Sequence, residues 1–456
     1  MTLRRAALTF IRGMWLVLLA ASSSHASNGM NMIGFGAESV SMGGADLAIT
    51  DSPAAMNINP AGISQCQSPE LAVGLSQVWP WVEHSDRLGN DQEDELNRYP
   101  MPFLAYVHPI GKVTLGAGLF IQGGMGAEYD DLITPVSAMK NSGMLPPGFF
   151  DGDSVPDRDE ARTLVMFAKF TPTVAWQINP EWSVGASLNV GYARADMKLF
   201  PETSVLADMD MSGVPGDSTR DAFFGLNLED TSAFGFGGRV GFQYRKGNLA
   251  LGAAYFTETS LDLDDGTLTL NMSALGLGKV KYDAKISGFS WPRRAGIGAA
   301  YRISPWFLIA ADVDWINWSS AIERLEIKIK NPGNPLAPAS KQIPFEMNWD
   351  DQWVFALGVE ITPIEGWALR LGYNHGDTPI PNDFLRPMFP AIGEDHLTAG
   401  LGFNRGRWTF DMGFEYVLET SKTNNSRDPA VNPFGPGSKE TLSQFMAHFM
   451  LRIAFP

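Results

Sequence analysis

The chain has one cysteine, Cys66, in 456 residues. No intramolecular disulfide can form, and the sulfur reads as a buried structural thiol. Positive charge is scarce: 34 Lys and Arg stand against 50 Asp and Glu, a formal net charge of −16. So acidic a chain is a poor match for a polyanion, and no nucleic-acid partner is expected. No continuous apolar run is long enough for a membrane helix. If the chain crosses a membrane, it must do so as a closed barrel, because only helices and barrels satisfy every backbone group in lipid. Nucleophile motifs are lacking as well. His84, His108, His375, His396 and His448 sit in none, and there is no G-x-S-x-G. A barrel enzyme of the lipase type is therefore the weaker alternative, and no enzyme activity is expected.

The N-terminus holds Arg4, Arg5 and Arg12 beside a short apolar run, Met14 to Ala21, followed by Ser24-His25-Ala26. That is the layout of a cleaved secretory signal, residues 1–26. Its removal takes away three positive charges and moves the net charge from −16 to about −19.

The remaining chain alternates apolar residues with small or polar ones, the pattern of half-buried strands. Trp182 to Tyr192 is one clear case and Trp408 to Tyr416 another. Tight turns such as Asn179-Pro180-Glu181, Ser304-Pro305 and Arg405-Gly406 take turns with long gaps. The rhythm gives about fourteen strands with short periplasmic turns and long external loops, as in an outer-membrane barrel. A porin or surface adhesin shares the rhythm. One strand face carries residues such as Phe307, Ile309 and Trp315; the other carries Arg302, Asp312, Asp314, Glu360, Arg370, Asp411, Glu415 and Arg452. On the lipid side a midplane Lys or Arg costs roughly 2–4 kcal/mol, so the charged face belongs in the lumen. The last strand, Phe445 to Phe455, ends in an aromatic followed by Pro456.

Ahead of these strands lies GFGAESVSMGGADLAITDSPAAMNINPAGIS, Gly34 to Ser64. It is too poor in large apolar residues to form its own core and too uncharged for a solvated tail. It reads as a hatch within the barrel, spanning residues 27–68, with the barrel at 69–456. The fold expected is all-β: a fourteen-stranded antiparallel transmembrane β-barrel with an N-terminal plug in its lumen.

Gly34-Phe35-Gly36, Met42-Gly43-Gly44-Ala45 and above all Asn59-Pro60-Ala61 resemble the hatch of the FadL/TodX family of outer-membrane transporters for hydrophobic compounds. Asp312-Val313-Asp314-Trp315 resembles its middle strands and Leu371-Gly372-Tyr373 a later one. The resemblance implies gradient-driven uptake with lateral exit into the membrane of a Gram-negative bacterium. Long-chain fatty acids are the leading cargo; aromatic hydrocarbons remain open. It further implies a monomer set in outer-membrane lipid and lipopolysaccharide, inserted by the barrel-assembly machinery, with a hydrophobic small molecule as its substrate.

Several residues are candidates for that work. Met30, Met32, Ile33 and Phe35 match the pocket-lining N-terminus. Lys169, Arg239 and Arg294 are lumen cations suited to a head group, or to ion pairs with Asp312 and Glu360. Gly116, Gly118, Gly123 and Gly124 mark where the third strand would kink and open. Leu132, Ile133, Met139, Met144, Phe149 and Phe150 give an external loop enough apolar surface for a capture groove. Asp151 to Glu160 is acidic and reads as a solvated loop or a cation site. No cofactor or resident metal is expected.

Overall fold

A computed structural model describes residues 28–95, 98–142, 155–206, 222–429 and 431–456. Fourteen antiparallel strands close into a barrel. The wall strands are β1 (Glu70–Ser85), β2 (Tyr99–Ile110), β3 (Val113–Leu132), β4 (Asp159–Gln177), β5 (Trp182–Leu206), β6 (Ala222–Lys246) and β7 (Leu249–Phe256). They continue as β8 (Arg294–Ser304), β9 (Phe307–Ile316), β10 (Gln352–Ile364), β11 (Trp367–Gly376), β12 (Asp395–Arg405), β13 (Trp408–Asn424) and β14 (Ser438–Ala454). Each pairs with its neighbour, and β14 closes onto β1 from Glu70–Ala454 to Ser85–Lys439. Closure leaves no strand edge for lipid to meet.

The alternation of the sequence becomes inside and outside. Leu357, Phe410 and Tyr416 are exposed on the outer wall, whereas Asp312, Asp314, Arg370 and Asp411 are buried within. The strands extend beyond what alternation alone suggests: β4 starts at Asp159 and β5 runs to Leu206. Two long gaps also contain strands. Leu263–Asn271 pairs with β6, Lys279–Ser287 follows, and Arg324–Lys330 and Ser340–Glu346 extend the same sheet.

The segment from Asn28 to Cys66 fills the lumen as a short helix, Ala37–Ser41, and two 3₁₀ turns, Pro53–Asn57 and Pro60–Gln65. The turn at Gly43-Gly44 has positive φ at both residues, and a Cβ on Gly43 would stand 2.7 Å from the Tyr373 backbone. Only glycine permits that approach. The wall makes room in return. Gly185 and Gly241 face each other across β5 and β6, and a Cβ on either would strike Asn59 or Pro60.

Candidate functional site

Polar side chains tie the plug to the wall. The Asn59 amide donates to the Leu47 carbonyl at 2.8 Å and the Phe242 carbonyl at 2.9 Å, while its Oδ1 accepts from Ala61 N–H at 3.2 Å. It is the cap of the Pro60–Gln65 turn. Pro60 and Ala61 lie in the glycine notch. Asp312 accepts from the N–H groups of Asp46 and Leu47 at 2.7 and 2.8 Å. Glu38 meets Arg370 at 3.4 Å and Arg452 at 3.7 Å.

The expected cations are lumenal, but their partners differ from those anticipated. Arg294 makes a two-pronged pair with Asp314 at 2.8 Å, not with Asp312, whose carboxylate caps the plug. Glu360 pairs with Arg370. Arg239 donates to the Met56 carbonyl at 2.6 Å and stacks over Phe256. Lys169 is buried opposite Phe120 of β3.

Above the plug lies an apolar cavity of about 50 Å³. Met30, Met125, Val165, Met197, Phe289, Phe345 and Phe389 are among its lining residues. The lining includes Asp196, Thr163 and Trp349 but, among the described residues, no Lys or Arg. Of the four residues expected from the N-terminus, Met30 alone reaches it. Met32 and Phe35 pack lower in a second core cluster, where Phe35 meets the Phe120 ring edge-on at 6.0 Å. Ile33 is buried beside Gly44.

Beside Met30 the β2–β3 ladder is interrupted among the described residues. The β2–β3 ladder runs from Ile110–Val113 to Phe103–Phe120 and stops, although β3 continues to Leu132. Contact resumes where Glu95 N–H donates to the Glu128 carbonyl at 3.0 Å. Between these points, Tyr99–Pro102 and Ile121–Gly124 share no ladder pairs among the described residues. Pro100 and Pro102 bring no N–H to this stretch. On its other side β3 slips register against β4 between Ile121 and Gly123. Asn31 of the plug forms a bridge with Gly123, and its Oδ1 accepts from Trp291 Nε1 at 2.9 Å.

Of the four glycines Gly123 alone flanks the slip, next to Gln122, and Gly124 pairs in regular register with Met166. Gly116 and Gly118 stand in the unbroken part of the ladder, opposite Val107 and Ala105. Their missing side chains instead make room for Met56 and Phe120.

The apolar loop expected to form an external capture groove is described in part. Leu132 is fully buried in the core, Ile133 is held by Asn90, and Met139 lies on a helix, Pro135–Asn141. None of the three lines the cavity. Met144, Phe149 and Phe150 fall outside the described residues. In the acidic stretch, residues 151–154 also fall outside. Asp157 pairs with Lys140, and Asp159 accepts from Thr203 at 2.7 Å.

A serine, a histidine and a carboxylate do meet in the lumen: Ser76 Oγ lies 2.8 Å from His448 Nδ1, and His448 Nε2 lies 3.3 Å from Glu415. All three are buried and none lines the cavity. Spacing alone could not reveal this group, because the residues come from β1, β13 and β14.

A closed barrel with the segment Asn28 to Cys66 folded inside and an apolar cavity within it is a plugged transmembrane β-barrel. The chain belongs to the outer membrane protein transport protein family (OMPP1/FadL/TodX), which matches residues 150–444. Its location is the outer membrane of a Gram-negative bacterium. It is 24% identical over 403 residues to the long-chain fatty acid transport protein of Escherichia coli O6:H1, covering 81% of this chain and 82% of that one. The Pseudomonas putida toluene transporter TodX superimposes with a TM-score of 0.71 at 19% identity, covering 92% of this chain and 99% of that chain. A Pseudomonas aeruginosa FadL homologue gives 0.70 at 14%, covering 94% and 100%.

Proposed function

We propose that this barrel carries hydrophobic compounds inward across the outer membrane, with long-chain fatty acids as the leading cargo, and releases them sideways into the bilayer. The observation that carries this reading is the position of Met30. It lines the apolar cavity, and its neighbour Asn31 bridges to Gly123 at the wall break. A molecule lodged in the cavity is thus one residue from the opening. Lateral release suits the cargo, because an apolar molecule gains nothing from entering water. The cavity as it stands is smaller than the roughly 150 Å³ that admits a benzene ring. Met30, Met125, Met197 and Met347 line it, and such flexible side chains can swing aside.

A second reading, uptake of aromatic hydrocarbons, is favoured by the absence of Lys and Arg from the lining. The reading also has the barrel work singly, among outer-membrane lipid and lipopolysaccharide, after insertion by the assembly machinery; the closed β14–β1 ladder supports only the part that leaves no strand edge in lipid. A hydrolase reading would need Ser76 and His448, which lie apart from the cavity.

Mass spectrometry of lipophilic molecules that copurify with the barrel tests the proposal. Enrichment of hydrophobic molecules over an unrelated outer-membrane barrel supports it. A profile identical to that barrel's contradicts it.

A further inference from the structure

We infer that Gln122, the extra residue of β3, sets the route of the cargo: its side chain completes a polar layer beneath the apolar cavity, so that an apolar molecule leaves past Gly123 and not down through the plug. This rests on the lateral-release reading above and names the residue that turns cargo sideways.

Gln122 has no ladder partner. The β2–β3 ladder ends at Phe120, and β3 pairs with β4 at Ile121 and again at Gly123. A bulge re-aims a side chain. Here the buried amide meets the plug: its Oε1 accepts from Asn57 Nδ2 at 3.2 Å, and its Nε2 reaches Asn31 Oδ1 at 3.5 Å. The row continues at both ends. Asn57 Oδ1 accepts from Arg239 Nη2 at 3.1 Å, and Asn31 Oδ1 accepts from Trp291 Nε1 at 2.9 Å. All five side chains are buried. The row thus links β3, two points of the plug, β6 and the chain just before β8.

Its place gives it meaning. Met30, Met125 and Phe167 belong to the apolar cluster that holds the cavity; Met32, Met56 and Ile121 belong to the cluster below. Asn31 stands between Met30 and Met32, and Gln122 between Ile121 and Gly123. Buried amides are tolerated when paired and costly when not. An apolar molecule moving from the upper cluster to the lower must part the row, and it offers the amides nothing in return. Moving past Gly123, it displaces the Asn31 arm and leaves the Gln122–Asn57–Arg239 bonds in place.

The test places the full chain in lipid nanodiscs with phenyl(trifluoromethyl)diazirine, a small apolar photolabel, and maps the labelled side chains by mass spectrometry. In the wild type, Met30 and Met125 should carry about tenfold more label than Met32 and Met56, as the loss of one or two buried hydrogen bonds gives. Gln122→Met keeps the length of the side chain and removes its amide. It should bring the lower pair within about threefold of the upper. Gln122→Glu keeps a polar group that accepts from Asn57, so its labelling should match the wild type. A purely structural role for the side chain would not separate the two variants. The wild-type profile serves if a variant fails to fold. Label on the lower pair that equals or exceeds the upper in the wild type, an unchanged profile in Gln122→Met, or the same redistribution in Gln122→Glu overturns the inference alone. If the wild type takes up no label at any of the four methionines, the uptake reading falls with it.

Discussion

Asn31, inside the barrel, forms a backbone bridge with Gly123, the residue at which β3 slips its register. The plug thereby stands in for part of the missing β2 ladder. On the proposed lateral release, plug movement and wall opening are a single event, because freeing Asn31 removes its bridge to Gly123.

Gly123→Val should block that event. Gly123 has φ of +156°, and a Cβ there would lie 2.1 Å from the Met30 carbonyl oxygen. The added side chain would occupy the space beside the Met30–Asn31 segment through which cargo is proposed to leave. Uptake should fall several-fold while the barrel keeps its heat-modifiable migration on gels. Gly116→Ala, away from the bulge, meets side chains and no backbone among its nearest atoms, Met56 Sδ at 2.5 Å and Ile63 and Val107 at 3.3 Å, and should have a smaller effect.

Asn59→Leu should loosen the plug. The substitution removes two donated hydrogen bonds and a turn cap, and leaves the Leu47 and Phe242 carbonyls short of a donor. The expected loss is roughly 2 kcal/mol of plug anchoring. In planar bilayers the variant should show frequent openings where the wild type is closed.

Gly241→Ala should act on the same anchor from the wall. Its Cβ would stand 2.0 Å from Asn59 Oδ1. The single variant should leak, and adding Asn59→Gly should increase the leak little, because the displaced Asn59 anchor is already lost. Bilayer conductance of the two variants side by side measures this. Leakage that Asn59→Gly increases strongly would place the strain elsewhere.

Acid should loosen the connection beside Trp318. Burial alone would raise the Asp351 carboxyl, but hydrogen bonds from Ser319, Asn317 and Trp315 outweigh it and hold the carboxyl below its usual range. A lowered folded value adds stability above the ordinary aspartate range and loses it as pH falls. Hydrogen-exchange protection of residues 317–321 should therefore be full at neutral pH and decline below about pH 4. Asp351→Asn should show low protection at both.

Much of the wall was legible in the sequence, because a two-residue repeat sorts Ile309 outward and Asp312 inward, and short turns fix which strands are neighbours. The external strands such as Arg324–Lys330 were not: they lie in the long polar gaps and alternate charge with apolar residues outside the membrane band. The plug was visible in its glycines and in Asn59-Pro60-Ala61, but its contacts were not. Nothing in the local sequence pairs Asp312 with the amides of Asp46 and Leu47. The cavity was the least legible part. Met30 could be anticipated; Thr163 and Trp349 come to line it only when β4 and the chain before β10 converge.

The most direct measurement is entry of a labelled hydrophobic compound into cells that lack their own outer-membrane importer of such molecules. Cells making the wild-type chain should accumulate a labelled long-chain fatty acid or aromatic hydrocarbon faster than cells with an empty vector, and Gly123→Val should bring the rate back towards that baseline. Equal rates in all three strains, with the barrel folded in the outer membrane, would contradict the account.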